Sequence, residues 1–97
     1  MAEIKFEWNS LKASENKRKH GVSFDEAKSA FLDENARLIP DTENPEDEDR
    51  FVLLGPSIQL RLLLVCHCFR PDDYVIRIIS ARKADKSERR QYAEYLS

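Results

Sequence analysis

The chain has 97 residues, 41% of them apolar and 35% charged, the composition of a folded domain rather than of a disordered tail. No apolar run approaches the ~20 residues that span a bilayer, and the N-terminus lacks the apolar stretch of a signal peptide, so a single cytoplasmic domain with no membrane contact is expected. The net charge of −2 hides an asymmetry: Asp41 to Asp49 holds six acids and no base, while Arg77 to Arg90 holds six bases against two acids, so the overall balance does not exclude a nucleic-acid partner.

Ile4 to Trp8 alternates apolar and polar residues, as a short half-buried strand does. Asn9 or Ser10 can cap a mostly polar helix over Leu11 to His20, which Gly21 ends. Ser23 starts a second helix. Ser23 and Glu26 have capping-box spacing, and Phe24, Ala27, Ala30 and Phe31 fall on one helical face. Ala36 to Ile39 reads as a strand ended by Pro40. The acidic stretch with Pro45 reads as a loop, and Arg50 to Leu54 as a strand turned at Gly55-Pro56. Leu60 to Phe69 is a long apolar run suited to a central strand. Pro71-Asp72-Asp73 makes a turn, and Tyr74 to Arg82 is a strand dense in β-branched residues. Asp85 or Ser87 starts a last helix through Leu96. The class is therefore α+β, in the order β-α-α-β-β-β-β-α. Short links between the later strands imply an antiparallel sheet, with helices on one face and the other face partly open.

Alternation sorts the polar side chains. Arg61, Leu63, Val65, His67 and Phe69 share one face of the central strand, and Leu60, Leu62, Leu64, Cys66 and Cys68 the other. In the last strand Val75, Arg77, Ile79 and Ala81 share a face. Ser80 and Arg82 fall on the opposite parity, so Arg82 can join Arg77 only through a bulge or at the strand end. Arg61, His67 and Arg77 are expected together on the open face.

That set suits metal-free RNA cleavage. The ribose 2′-oxygen attacks the adjacent phosphorus while a base takes its proton, an acid protonates the leaving 5′-oxygen, and cations offset the charge on the phosphorane. His67 can serve as base or acid, or be purely structural. Arg50, Arg61, Arg77 and Arg82 can clamp phosphate, and Phe69 or Tyr74 can stack on a base. Cys66, His67 and Cys68 alternate in direction and have no second ligand pair, so neither metal nor cofactor is expected. The two cysteines, with Cα atoms ~7 Å apart along one strand, read as buried reduced thiols. With only Gly21 and Gly55, the chain has no phosphate-cradling glycine motif.

Three segments carry a family resemblance. They are Phe6-Glu7-Trp8-Asn9 with Lys12, Asn16 and the run Lys19 to Ala27; Asp49-Arg50; and the run Arg77 to Ala84 with Glu88, Arg89 and Tyr92. Together they resemble the BrnT family of type II toxins, relatives of the RelE fold. Asn9 departs from the Asp common there, and a cap tolerates either residue. The resemblance implies an RNA-cleaving toxin that slows translation. It also implies a BrnA-like antitoxin with a ribbon-helix-helix part, which forms a heterotetramer and alone touches DNA. It favours Arg50, Arg61, Arg77, Ser80 and Arg82 on the active face, with Lys12, Lys19, His20 and Lys83 adding RNA contacts. Plainer roles stand beside these. His20 can serve the C-terminal dipole of its helix, Ser80 a strand end, Trp8 the core, and Glu88 with Arg89 a solvent face or the antitoxin contact. Two other functions compete: a non-enzymatic corepressor that loads a DNA-binding partner, favoured by the acidic stretch, and direct DNA binding, for which no helix but the last has the clustered basic and polar surface of a recognition helix.

Overall fold

A computed structural model describes residues 3–40, 50–70, 72 and 74–97. The expected acidic loop at 41–49 and two residues of the expected turn, Pro71 and Asp73, lie outside the described residues. The element order is β1 (Lys5–Glu7), α1 (Ser10–His20), α2 (Phe24–Ala30), β2 (Arg37–Pro40), β3 (Arg50–Pro56), β4 (Leu62–Arg70), β5 (Val75–Lys83) and α3 (Lys86–Leu96). The α+β class and the order match the expectation.

Local chemistry sets the helix ends. The Asn9 side chain accepts from the Leu11 and Lys12 amides at 3.0 and 3.1 Å, and Gly21, at φ +71°, closes α1 in the left-handed conformation glycine tolerates. Ser23 caps α2 by accepting from the Glu26 amide at 3.0 Å. The reciprocal half of that expected capping box is absent, because the Glu26 carboxylate turns to Arg61. The complete box belongs to α3, between Asp85 and Glu88.

The sheet runs β1-β5-β4-β3-β2. Strands β2 to β5 form the expected antiparallel meander. β1 adds to the far edge of β5 in parallel, with Glu7 opposite Arg77, so the sheet is mixed. The expected turn at Gly55-Pro56 is corrected: β3 continues through both residues. The reversal comes at Ser57–Arg61, where the Leu60 amide donates to Ser57 O at 2.9 Å and Leu60 takes φ +63°. Gly55 answers a different need. A Cβ there would lie 2.8 Å from the Ala36 Cβ.

Helices α1 and α2 cover one face of the sheet. Val22, Phe24, Ala27 and Ala30 pack there on Leu53, Leu63, Val65, Ile76, Ile78 and Ala81. The opposite parity carries Leu54, Leu62 and Leu64, and these pack with Ala84 and with Tyr92 of α3. The third helix therefore departs from the expectation of helices on one face only. It closes one end of the second face, with the Arg37 guanidinium 5.0 Å from the Tyr95 ring and the Tyr92 hydroxyl donating to Asn35 O at 3.3 Å. The rest of that face remains open. Among the described residues no helix is long and apolar enough to cross a membrane.

Candidate functional site

The open face is decided by one irregularity. In β4 and β5, Cys66 pairs with Ser80 and His67 with Ile78, so Ile79 is an extra residue, a β-bulge. The bulge flips the parity of everything after it. Arg77 faces the same way as its partner Cys68, Ser80 as Cys66, and Arg82 as Leu64. Three residues that strict alternation would split thus share one face, and the undecided position of Arg82 is resolved.

One row crosses this face: Glu7, Arg77, Cys68 and Arg50 are successive register partners on β1, β5, β4 and β3. Arg77 and Arg50 stand on strands ~10 Å apart, with the half-buried Cys68 between them. Glu7 lies 3.3 Å from Arg77 and 3.2 Å from Arg70, so one carboxylate serves two guanidinium groups. The next row brings Ser80 beside Cys66. Cys66 and Cys68 remain thiols.

Arg82 reaches this face, but its fork is occupied. Its two Nη atoms donate to both Glu88 carboxylate oxygens at 2.8 and 2.9 Å. Glu88 also accepts from the Asp85 amide, and the guanidinium, with that amide, holds its carboxyl below the usual range. Arg82 and Glu88 therefore join the sheet to the first turn of α3. Lys83, the partner of Leu63, falls on the opposite parity, exposed at the strand end.

Two expected members are elsewhere. His67 does not lie on the open face. It points under α2, is 2% exposed, and meets Phe31 edge-on with ring centroids 4.8 Å apart. Its Nδ1 donates to Val65 O at 3.1 Å, and burial pushes its pKa down, which keeps the ring neutral. The unfolded chain then takes up a proton before the folded one does. Stability is full above the ordinary histidine value of about 6.5 and falls as pH drops below it. His67→Phe, which keeps a ring beside Phe31, is expected to remove this component. Urea melts between about pH 7 and pH 5 would show a shallower loss of stability in the variant; an unchanged slope would contradict the assignment.

Arg61 is likewise displaced. It lies in the loop after Leu60 rather than in β4, and its guanidinium grips the Glu26 carboxylate, with Nε donating to Oε2 at 2.8 Å and Nη2 to Oε1. Nη2 also donates to Gly21 O at 3.1 Å, and Ser57 Oγ donates to Glu26 Oε2 at 2.7 Å. Arg61 thus ties the hairpin to the α1–α2 junction. Trp8 packs edge-on against Phe24 at 5.9 Å, as expected of a core residue.

The structure brings the other expected residues together at the free edge of β5. β1 ends at Glu7, and beyond it α1 takes the place of a further strand. The joint is Asn16, the buried residue of α1. Its Oδ1 accepts from the Ala81 amide at 3.0 Å, and its Nδ2 donates to Ala81 O at 2.8 Å and Val22 O at 2.9 Å. Asn16 thereby satisfies a strand edge that would otherwise be orphaned. Beside it opens a cleft of about 260 Å³ lined by Lys12, Glu15, Asn16, Lys19, His20, Ile79 and Ser80. Positions 12, 15, 16, 19 and 20 form one helical stripe. Ser80 belongs to both the cleft and the open face, so the two are continuous. Glu7 and Glu15 were missed from the sequence. The available signal for Glu15 was a helix whose buried face is polar.

Among the described residues no three His, Cys, Asp or Glu side chains group as metal ligands. Cys66 and Cys68 face one way and His67 the other, as their alternation predicts.

A family model described as "Ribonuclease toxin, BrnT, of type II toxin-antitoxin system" matches residues 8–88. Among solved structures, the Brucella abortus ribonuclease toxin BrnT is similar in fold. It has a TM-score of 0.67 and 22% sequence identity, over 87% of this chain and 100% of that one. No curated protein matches.

Proposed function

The chain belongs to the BrnT family of ribonuclease toxins of type II toxin–antitoxin systems, and on that premise we propose that it is a metal-independent endoribonuclease that inhibits translation. The observation that carries this reading is the continuity, through Ser80, of a basic open sheet face with a small cleft holding two lysines, a carboxylate and an imidazole. RNA lies along the face, its phosphates drawn by Arg77, Arg70 and Arg50. The scissile phosphodiester reaches the β5 edge, where Lys12 and Lys19 meet the charge that builds on its non-bridging oxygens. At about 260 Å³ the cleft is smaller than pockets for whole drug-sized ligands and suits a phosphate with its ribose. Attack by the 2′-oxygen leaves a 2′,3′-cyclic phosphate and a free 5′-hydroxyl. No step in this scheme calls for a metal ion.

The partner we assign is a BrnA-like antitoxin with a ribbon-helix-helix part, in a heterotetramer that touches DNA through the antitoxin alone. This assignment rests on the family's type II membership.

The test is incubation of the purified protein with RNA in excess EDTA, with and without ribosomes, followed by analysis of the product ends. Cyclic phosphate termini formed in EDTA are the expected result. Intact RNA in both settings would leave the corepressor reading in its place, and cleavage abolished by EDTA would remove the metal-free mechanism.

A further inference from the structure

The cleft at the β5 edge contains more than cations. With His67 sealed under α2, the imidazole near the basic face is His20. It lies in the last turn of α1, and Glu15 stands about a turn and a half earlier, at the other margin of the stripe, both lining the cleft with Ser80. The carboxylate on the open face itself, Glu7, is engaged by Arg70 and Arg77. Among the described residues, the cleft is therefore where a carboxylate, an imidazole, two lysines and an open volume of about 260 Å³ coincide.

Two clamps hold this constellation. Asn16, at the centre of the stripe, pins α1 to both backbone groups of Ala81. Arg61 pins Gly21 O, directly after His20, from the other side. Helix α1 thus cannot slide along β5 without breaking buried hydrogen bonds, and Glu15 and His20 keep their distance from the bulge that presents Ser80. Such positioning is what acid–base catalysis requires of its groups.

We infer that Glu15 is the general base and His20 the general acid of the cleavage reaction, an assignment that rests on the ribonuclease reading above. At neutral pH carboxylates ordinarily accept protons, whereas an imidazolium can give one. The Glu15 carboxylate takes the proton of the ribose 2′-hydroxyl, and the 2′-oxygen forms its bond to phosphorus. The bond from phosphorus to the 5′-oxygen breaks, and His20 passes its proton to that oxygen. Glu15 ends protonated and His20 neutral, and exchange with water restores both. Lys12 and Lys19 are the cations beside the phosphorane. His20 touches the leaving oxygen in this scheme and is a catalytic residue, whereas Asn16 and Arg61 are positioning residues.

The experiment compares ordinary RNA with a substrate whose scissile 5′-oxygen is replaced by sulfur, a leaving group that needs no proton. His20→Ala is expected to slow cleavage of ordinary RNA by about 10²–10⁴-fold and to cleave the sulfur substrate at nearly the wild-type rate. Glu15→Gln, which leaves the 2′-hydroxyl without its base, is expected to be slow on both. His20→Asn serves as a second variant of similar size, and thermal melts of each variant establish that it is folded. Equal losses for the His20 variants on the two substrates, or full activity on ordinary RNA, would overturn the assignment while leaving the ribonuclease reading intact. Inactivity of the wild type on both substrates would remove the reading itself.

Discussion

Arg61→Ala is expected to lower Tm by about 5 °C or more in a domain of this size. The variant leaves the Glu26 carboxylate, whose side chain is 2% exposed, with only the Ser57 hydroxyl in place of a two-point grip by a guanidinium. The Arg61 side chain is 30% exposed, so water enters part of the space it leaves, and the carboxylate exchanges a charged two-point grip for weaker hydration. The pH dependence identifies the cause. The Arg61 guanidinium holds the Glu26 carboxyl below the usual carboxylate range, against the opposing effect of burial. A depressed folded pKa means stability that is present above the unfolded value of about 4.3 and is lost as pH falls through the folded one. In Arg61→Ala only burial and the hydroxyl remain, and protonation of Glu26 relieves the strain. The gap between wild type and variant is therefore largest at neutral pH and narrows on acidification. A second substitution completes the test: Glu26→Gln in the Arg61→Ala background removes the stranded charge and should regain stability. An Arg61→Ala protein that melts like the wild type but no longer cleaves RNA would return Arg61 to the substrate.

Arg77→Ala is expected to reduce RNA cleavage by about 10–10²-fold through weaker RNA binding, with little effect on folding. Its side chain is 46% exposed and its pairing with Glu7 is a surface contact, of a kind that contributes little to stability. Its value lies in its place: on the open face, in the row with Arg50, and two rows from an arginine already committed to α3. Arg77→Lys should recover only part of the rate, because a point charge does not reproduce a planar fork. Glu7→Gln should act in the opposite direction, tightening RNA binding by releasing Arg77 from its carboxylate. Steady-state cleavage and salt-dependent RNA binding on the three variants provide the check. Unchanged rates in Arg77→Ala would place the RNA elsewhere.

Features closed within a few residues of the chain were readable from the sequence. The caps at Asn9, Gly21 and Ser23, the strands with their alternating faces, and the separate directions of Cys66 and His67 depend on backbone geometry that repeats every two or 3.6 residues. The run from Lys19 to Ala27 and the run from Arg77 to Ala84 also carried the family resemblance. Which face of an element meets solvent is a different matter, because it depends on what packs against it from far along the chain. A one-residue shift in pairing reverses every side chain beyond it, and the bulge at Ile79 is such a shift. It brought Ser80 and Arg82 to the face of Arg77. The same limit misplaced His67 and Arg61, whose surroundings are supplied by Phe31 and Glu26, some 35 positions away. It also hid the cleft, whose geometry hangs on one hydrogen-bonded clasp between Asn16 and Ala81, 65 residues apart. Residue types and local periods are properties of the chain, but the meeting of a helix stripe with a strand edge exists only once the backbone hydrogen bonds of both have been satisfied together.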